Sequence, residues 1–133
     1  MTNADIDILL SEINKDNGFT NLCQSDVKYL TYEVDVVDAI KITEISPIEV
    51  GKVISKTIEA LREKNSNKII SKILFAIKTT ESCKLNAVHV SDIHEMLDLL
   101  DEDIQCIWGI STNNNLIGGS LEIIVAIGFK NIV

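Results

Sequence analysis

The period of the apolar positions changes several times along this chain, and the changes mark out its elements. Ile6, Leu9, Leu10 and Ile13 recur at helical spacing, which predicts a first helix over Asp5 to Ile13. Thr2 or Asn3 stands where a cap belongs, and Asp16-Asn17-Gly18 suits a left-handed exit. The polar stretch from Phe19 to Lys28 reads as a loop with at most one helical turn. From Tyr29 to Ile45 β-branched and aromatic residues gather, including Thr31, Tyr32, Val34, Val36 and Val37. Ile40 and Ile42 alternate there with polar neighbours, a period of two that predicts a strand.

Ser46-Pro47-Ile48-Glu49 is the sharpest local signal. Serine stands as a cap, proline fits the first helical position, and a glutamate three residues after the cap completes a capping-box pattern. The helix that follows sets Val50, Ile54, Ile58 and Leu61 on one face and should stop near Lys64-Asn65-Ser66-Asn67. A second strand is expected from Ile69 to Lys78, then a helix capped near Ser91 that buries Ile93, Met96, Leu97 and Leu100. Asp101-Glu102-Asp103 would oppose a helix C-terminus, so these acids are placed beyond its end. Ile104 to Ser111 and Leu121 to Phe129 read as two closing strands. Thr112 to Gly119, with its asparagine run and Gly-Gly pair, reads as a long antiparallel hairpin connection between them.

This order implies an α+β two-layer sandwich: a mixed four-stranded sheet with two helices on one face, plus an N-terminal helix. Residues 1–28 are expected to form the N-terminal helix and loop, and residues 29–133 the α/β domain. Composition agrees with a folded domain, at 46% hydrophobic and 24% charged over 133 residues. The net charge of −8, with lysines scattered singly, argues against nucleic acid and anionic membrane as partners. No apolar stretch approaches the roughly 18–20 residues needed to span a bilayer. The polar opening Met1-Thr2-Asn3-Ala4-Asp5 does not read as a signal peptide, and Cys23, Cys83 and Cys106 lie far apart. Free thiols in a cytoplasmic setting are expected.

Candidate chemistry is sparse. Cys83, His89 and His94 fit no zinc spacing, and two histidines five apart do not share a helical face. Asp98, Asp101, Glu102 and Asp103 lack the bend glycine and terminal glutamate of a calcium loop. Cys106 sits in an apolar strand and is expected to be buried and inert, and Trp108 shares its face with Ile104 and Ile110. No catalytic group, cofactor site or metal site is assigned.

The run Asp103-Ile104-Gln105-Cys106-Ile107-Trp108-Gly109 resembles a stretch of the FtsZ/tubulin C-terminal domain, in which alternating apolar residues end in an aromatic and a glycine. Ser120 to Phe129, S-L-E-I-I-V-A-I-G-F, is similar to that family's closing strand V-x-V-x-V-I-A-T-G-F, and Leu116 lies where the family often has Leu or Met. The resemblance covers about residues 39–130 and is specific over 103–129. Ile127 departs from it by replacing threonine before Gly128, as do the extra glycines of the connection. The family holds its nucleotide on a separate domain with a G-G-G-T-G-T/S-G loop. Gly118-Gly119-Ser120 is too short and opens a strand, so it does not stand in for that loop. The resemblance implies one inter-subunit acidic residue, for which Asp5 is the candidate; by itself Asp5 reads as an acidic first turn facing a helix dipole.

The expected function is therefore a non-catalytic protein–protein interaction domain, linked by the resemblance to cell division or filament assembly. Its partner would be itself, as an oligomer, or a tubulin-like protein. A small-molecule-binding or enzymatic oligomer of chorismate-mutase-like layout, and a detached part of a polymerising GTPase, remain alternatives. Period two along the last strand points Leu121, Ile123, Val125 and Ile127 at the helices. The opposite face collects Leu74, Ala76, Ile107, Ile124 and Ala126, the candidate interface, which some further layer should cover. That layer is either the segment Asp5 to Ile13 or a second copy of the sheet.

Overall fold

The computed structural model describes residues 6, 8–11, 24–80, 84–112 and 120–132. Residues 6 and 8–11 are helical and form α1. There follow α2 (Gln24–Thr31), β1 (Val36–Ile45), a 3-10 turn (Pro47–Glu49), α3 (Val50–Lys64), β2 (Lys68–Thr79), α4 (Ala87–Asp98), β3 (Gln105–Thr112) and β4 (Leu121–Asn131). The four strands make one open mixed sheet in the order β1-β4-β2-β3, so the molecule is an α+β sandwich. β4 runs antiparallel to both β1 and β2, while β2 and β3 are parallel.

That order corrects the hairpin expected over Thr112 to Gly119. β3 and β4 are not neighbours, because β2 lies between them. β4 carries an unbroken buried run from Leu121 to Phe129, so it takes a central place where both its edges are paired. β1 and β2 are thereby parallel with β4 inserted between them, and α3 makes the crossover.

Several local expectations are also revised. Gln24–Thr31 is an eight-residue helix, where a loop with at most one helical turn was expected as far as Lys28 and a β-rich stretch from Tyr29, and β1 begins only at Val36. Ser46 is extended and its side chain makes no capping bond; its carbonyl accepts from Glu49 N at 3.0 Å. This closes the 3-10 turn, and α3 proper begins at Val50 without a capping box. The capping box lies instead at α4, which starts at Ala87, ahead of the expected Ser91. Asn86 Oδ1 accepts from Val88 N and His89 N at 3.0 and 3.1 Å, and Asn86 N donates to His89 Nδ1 at 3.1 Å. Histidine here does the work usually given to glutamate, which is why the pattern escapes a search for acids. The expected helix end at Asp101-Glu102-Asp103 does lie beyond α4.

Each sheet face has its own core. On one, α3 and α4 contribute Val50, Ile54, Ile58, Leu61, Ile93 and Met96 against Ile73, Phe75, Ile77, Ile123, Val125, Ile127 and Phe129. Burying each such side chain stabilises the fold by roughly 1.5–3 kcal/mol before entropy is counted. A Cβ on Gly51 would come within 3.3 Å of the Asp92 carbonyl, so glycine permits the close α3–α4 crossing. Asp38, buried on this face, accepts from Asn65 Nδ2 at 3.1 Å and pairs with Lys64 Nζ at 3.2 Å, tying β1 to the end of α3. On the second face Ile6, Leu9 and Leu10 of α1 and Val27 and Leu30 of α2 pack on Ala39, Leu74, Ala76, Ile124 and Ala126.

Candidate interaction surface

The five positions expected to form an interface sit together on the second face. Leu74, Ala76, Ile124 and Ala126 are buried, and half-buried Ile107 packs beside them. The cover comes from the same chain, so in this fold the patch is not a free surface. Between the two covers considered from sequence, α1 supplies the intramolecular one, and α2 extends it.

The seating of α2 is specific. Gly128 lies beneath its end, where a Cβ would stand 2.9 Å from both the Leu30 carbonyl oxygen and Val34 Cγ1. Only a bare backbone accepts that approach. Lys72 reaches up from β2, 8% exposed, and its Nζ donates to the carbonyls of Tyr29 at 2.7 Å and Tyr32 at 2.5 Å. The amine also lies 4.1 Å from the Tyr29 ring centroid and 5.5 Å from that of Tyr32. A cation at a helix C-terminus offsets the dipole and fills orphan carbonyls at once. Tyr29 completes the tie by donating its hydroxyl to Gln105 Oε1.

Further along the same face, buried Glu122 bridges Lys41 Nζ at 3.4 Å and Lys78 Nζ at 3.5 Å. Lys78 and Glu122 stand opposite each other across β2 and β4. These charges hold one another, and their positions in the strands make them a cross-strand tie.

The outer surface of α3 and α4 is different. Two shallow grooves of about 260 and 330 Å³ run along their seam, sharing Ser55, Met96 and Leu99. Leu99 is 87% exposed and Ile48 76% exposed, and Lys52, Arg62, Asp92 and Glu95 surround them. Exposed apolar side chains thus lie among charged residues of both signs, an arrangement that suits a broad apolar contact with a charged border.

The remaining candidates are separated by the fold. His89 is engaged in the α4 cap, while exposed His94 meets the Trp108 ring edge-on at 5.9 Å. Trp108 stacks on Phe75 at 5.4 Å and is half-buried. Among the described residues no group of His, Cys, Asp or Glu is placed to hold a metal ion. Cys106 is half-buried, and desolvation pushes its thiol up to about 12. Asp5, Cys23 and Cys83 lie outside the described residues. Among the described residues no helix is long and apolar enough to cross a membrane.

The sequence matches no family model, and no curated protein is recognisably similar to it in sequence. Solved structures do share its fold. A point mutant of FtsZ from M. jannaschii is similar with a TM-score of 0.67 at 15% identity, over 96% of this chain and 42% of that one. An empty FtsZ dimer from M. jannaschii is similar with a TM-score of 0.59 at 15% identity, over 92% of this chain and 38% of that one. This chain thus spans less than half the length of the FtsZ chains it matches, and at this identity the likeness is one of fold: the chain has an FtsZ-like fold.

Proposed function

We propose that this chain is a non-catalytic protein–protein interaction module of FtsZ-like fold, whose partner is a tubulin-like protein or a second copy of itself. The observation that carries the reading is the α3–α4 seam, where Ile48 and Leu99 stand exposed within open, charge-rimmed grooves. Apolar side chains so placed gain most from a flat protein surface, whereas a small ligand needs an enclosing pocket with convergent polar groups. The likeness to FtsZ over nearly the whole chain, one solved example being a dimer, supports the class of partner. A link to cell division or filament assembly in the cytoplasm rests on the same likeness.

Its extent, 42% of the FtsZ chain, also supports a second reading, in which the domain works beside a separate nucleotide-binding part. Co-sedimentation with a purified FtsZ and calorimetric titration with GTP test the proposal together. The expected result is association that Leu99→Asp and Ile48→Asp weaken, with no heat of GTP binding. Saturable GTP binding with phosphate release by this chain would overturn it.

A further inference from the structure

The two sheet edges are unequally protected. β1, at one edge, carries Asp38, Lys41 and Glu44. Its register breaks between Ile42 and Ile45, and Glu44 there adopts a left-handed φ of 59°. Charge and a bulge are the usual devices that stop a strand from recruiting another. β3, at the opposite edge, has neither. Its sequence Q-C-I-W-G-I-S-T holds no charged residue and no proline, and its register with β2 is unbroken from Gln105 to Thr112. Among the described residues no strand pairs with its outer side.

The side chains of β3 show the same incompleteness. Cys106, Ile107, Trp108 and Ile110 are all half-buried, while β2 and β4 are buried along almost their whole length. The apolar layer on both faces therefore runs out to this edge and stops without a border. An outward row of backbone N–H and C=O groups is completed best by another strand.

We propose that two copies of this chain pair through β3, antiparallel about Trp108, to join their sheets into one. The proposal rests on the reading of the chain as an interaction module and names one of its surfaces. A second copy fits for a reason of charge. The chain carries a net charge of −8, so copies repel each other in general, and β3 offers a neutral strip where no like charges meet.

Register follows from symmetry. Side-by-side antiparallel pairing needs a two-fold axis normal to the sheet, which keeps each face continuous and lets only residues of the same face stand opposite. With the axis at Trp108, Cys106 faces Ile110 and Ile107 faces Gly109, apolar against apolar. An axis at Gly109 would set Ile107 against Ser111 and Cys106 against Thr112. The Trp108 register also brings the half-buried indoles of both copies to the centre of the seam.

Sedimentation velocity of the full chain over a wide concentration range, with hydrogen exchange across residues 105–112, tests the pairing. The expected result is a reversible dimer in which β3 amides gain protection as the dimer forms. Ile110→Lys should raise its dissociation constant by roughly tenfold or more, as a charge in a pairing seam does. Thr43→Lys, on the β1 edge, should leave it unchanged. If circular dichroism shows that Ile110→Lys does not fold, hydrogen exchange of the unaltered chain decides. A monomer at every concentration, or a dimer whose β3 amides gain no protection, overturns the pairing. A chain that stays monomeric yet still binds a tubulin-like protein overturns the pairing and leaves the interaction reading standing.

Discussion

Gly128 shows how much can rest on one missing Cβ. The Leu30 carbonyl oxygen and Val34 Cγ1 occupy the place a methyl would need, and neither is the end of a long flexible side chain. Gly128→Ala should therefore lift α2 from the sheet and cost about 1–3 kcal/mol, read as a lower denaturation midpoint. Lys72, the partner of Gly128 across β2 and β4, holds the end of the same helix. Lys72→Met keeps the apolar stem but takes the donor from the Tyr32 carbonyl and leaves that of Tyr29 with only the Tyr32 N–H, with an expected loss of about 1–3 kcal/mol in the same measurement. Cys106 offers a pH test. Its folded-state thiol is raised to about 12 from 9.0, so protonation favours the folded state. That contribution is complete below the unfolded value and is lost as pH rises from about 9 to about 12. A Cys106→Ala variant should show a shallower fall in stability over that window, by denaturant titration at successive pH values. The apolar period of β3 made the place of this thiol in a strand legible in sequence, though it is half-buried and not fully enclosed; the capping role of His89 was not, because it depends on ring orientation.

At the level of elements, α1 and α2 act as a lid made of the chain itself. Leu74, Ala76, Ile124 and Ala126 are small or branched apolar residues, and the helices place Ile6, Leu9, Leu10, Val27 and Leu30 over them. Deleting residues 1–18 removes the α1 share of this layer. The truncated chain should then lose solubility or associate further than the full chain does, with increased binding of a hydrophobic dye, while residues 29–133 keep strand content by circular dichroism. An equally soluble truncation in the same state of association as the full chain would contradict the role given to α1. The composition of this face was readable from alternation along β4 and β2. Its cover was not, since α2 is a short helix whose polar sequence gains its stability from Val27, Leu30 and the Lys72 tie.

For the molecule as a whole, the last strand is the organiser. β4 pairs with β1 on one side and β2 on the other, and it is buried from Leu121 to Phe129. A chain ending at Thr112 would leave β1 with no partner and both cores without their central wall. It should fail to show a cooperative unfolding transition by calorimetry, whereas loss of an edge strand would only weaken one. The FtsZ-like fold is shared over almost the whole chain at a sequence identity of 15%. Burial on both faces constrains β4 to apolar residues, yet many sequences meet that demand.

What the sequence determined by itself was whatever repeats locally. Period two assigned Leu121, Ile123, Val125 and Ile127 to one core and Ile124 and Ala126 to the other, and period 3.6 assigned the inward face of α3. Those assignments hold because a side chain's direction is set by the backbone of its own element. The closing strands also carried the FtsZ resemblance. The tertiary structure alone decided the order β1-β4-β2-β3 and the choice of α1 and α2 as cover. It also decided that Ser46 would leave its cap to a 3-10 turn. Each of these is a competition between partners distant along the chain, and the winner is the arrangement that buries the most apolar surface while leaving the fewest backbone groups unpaired.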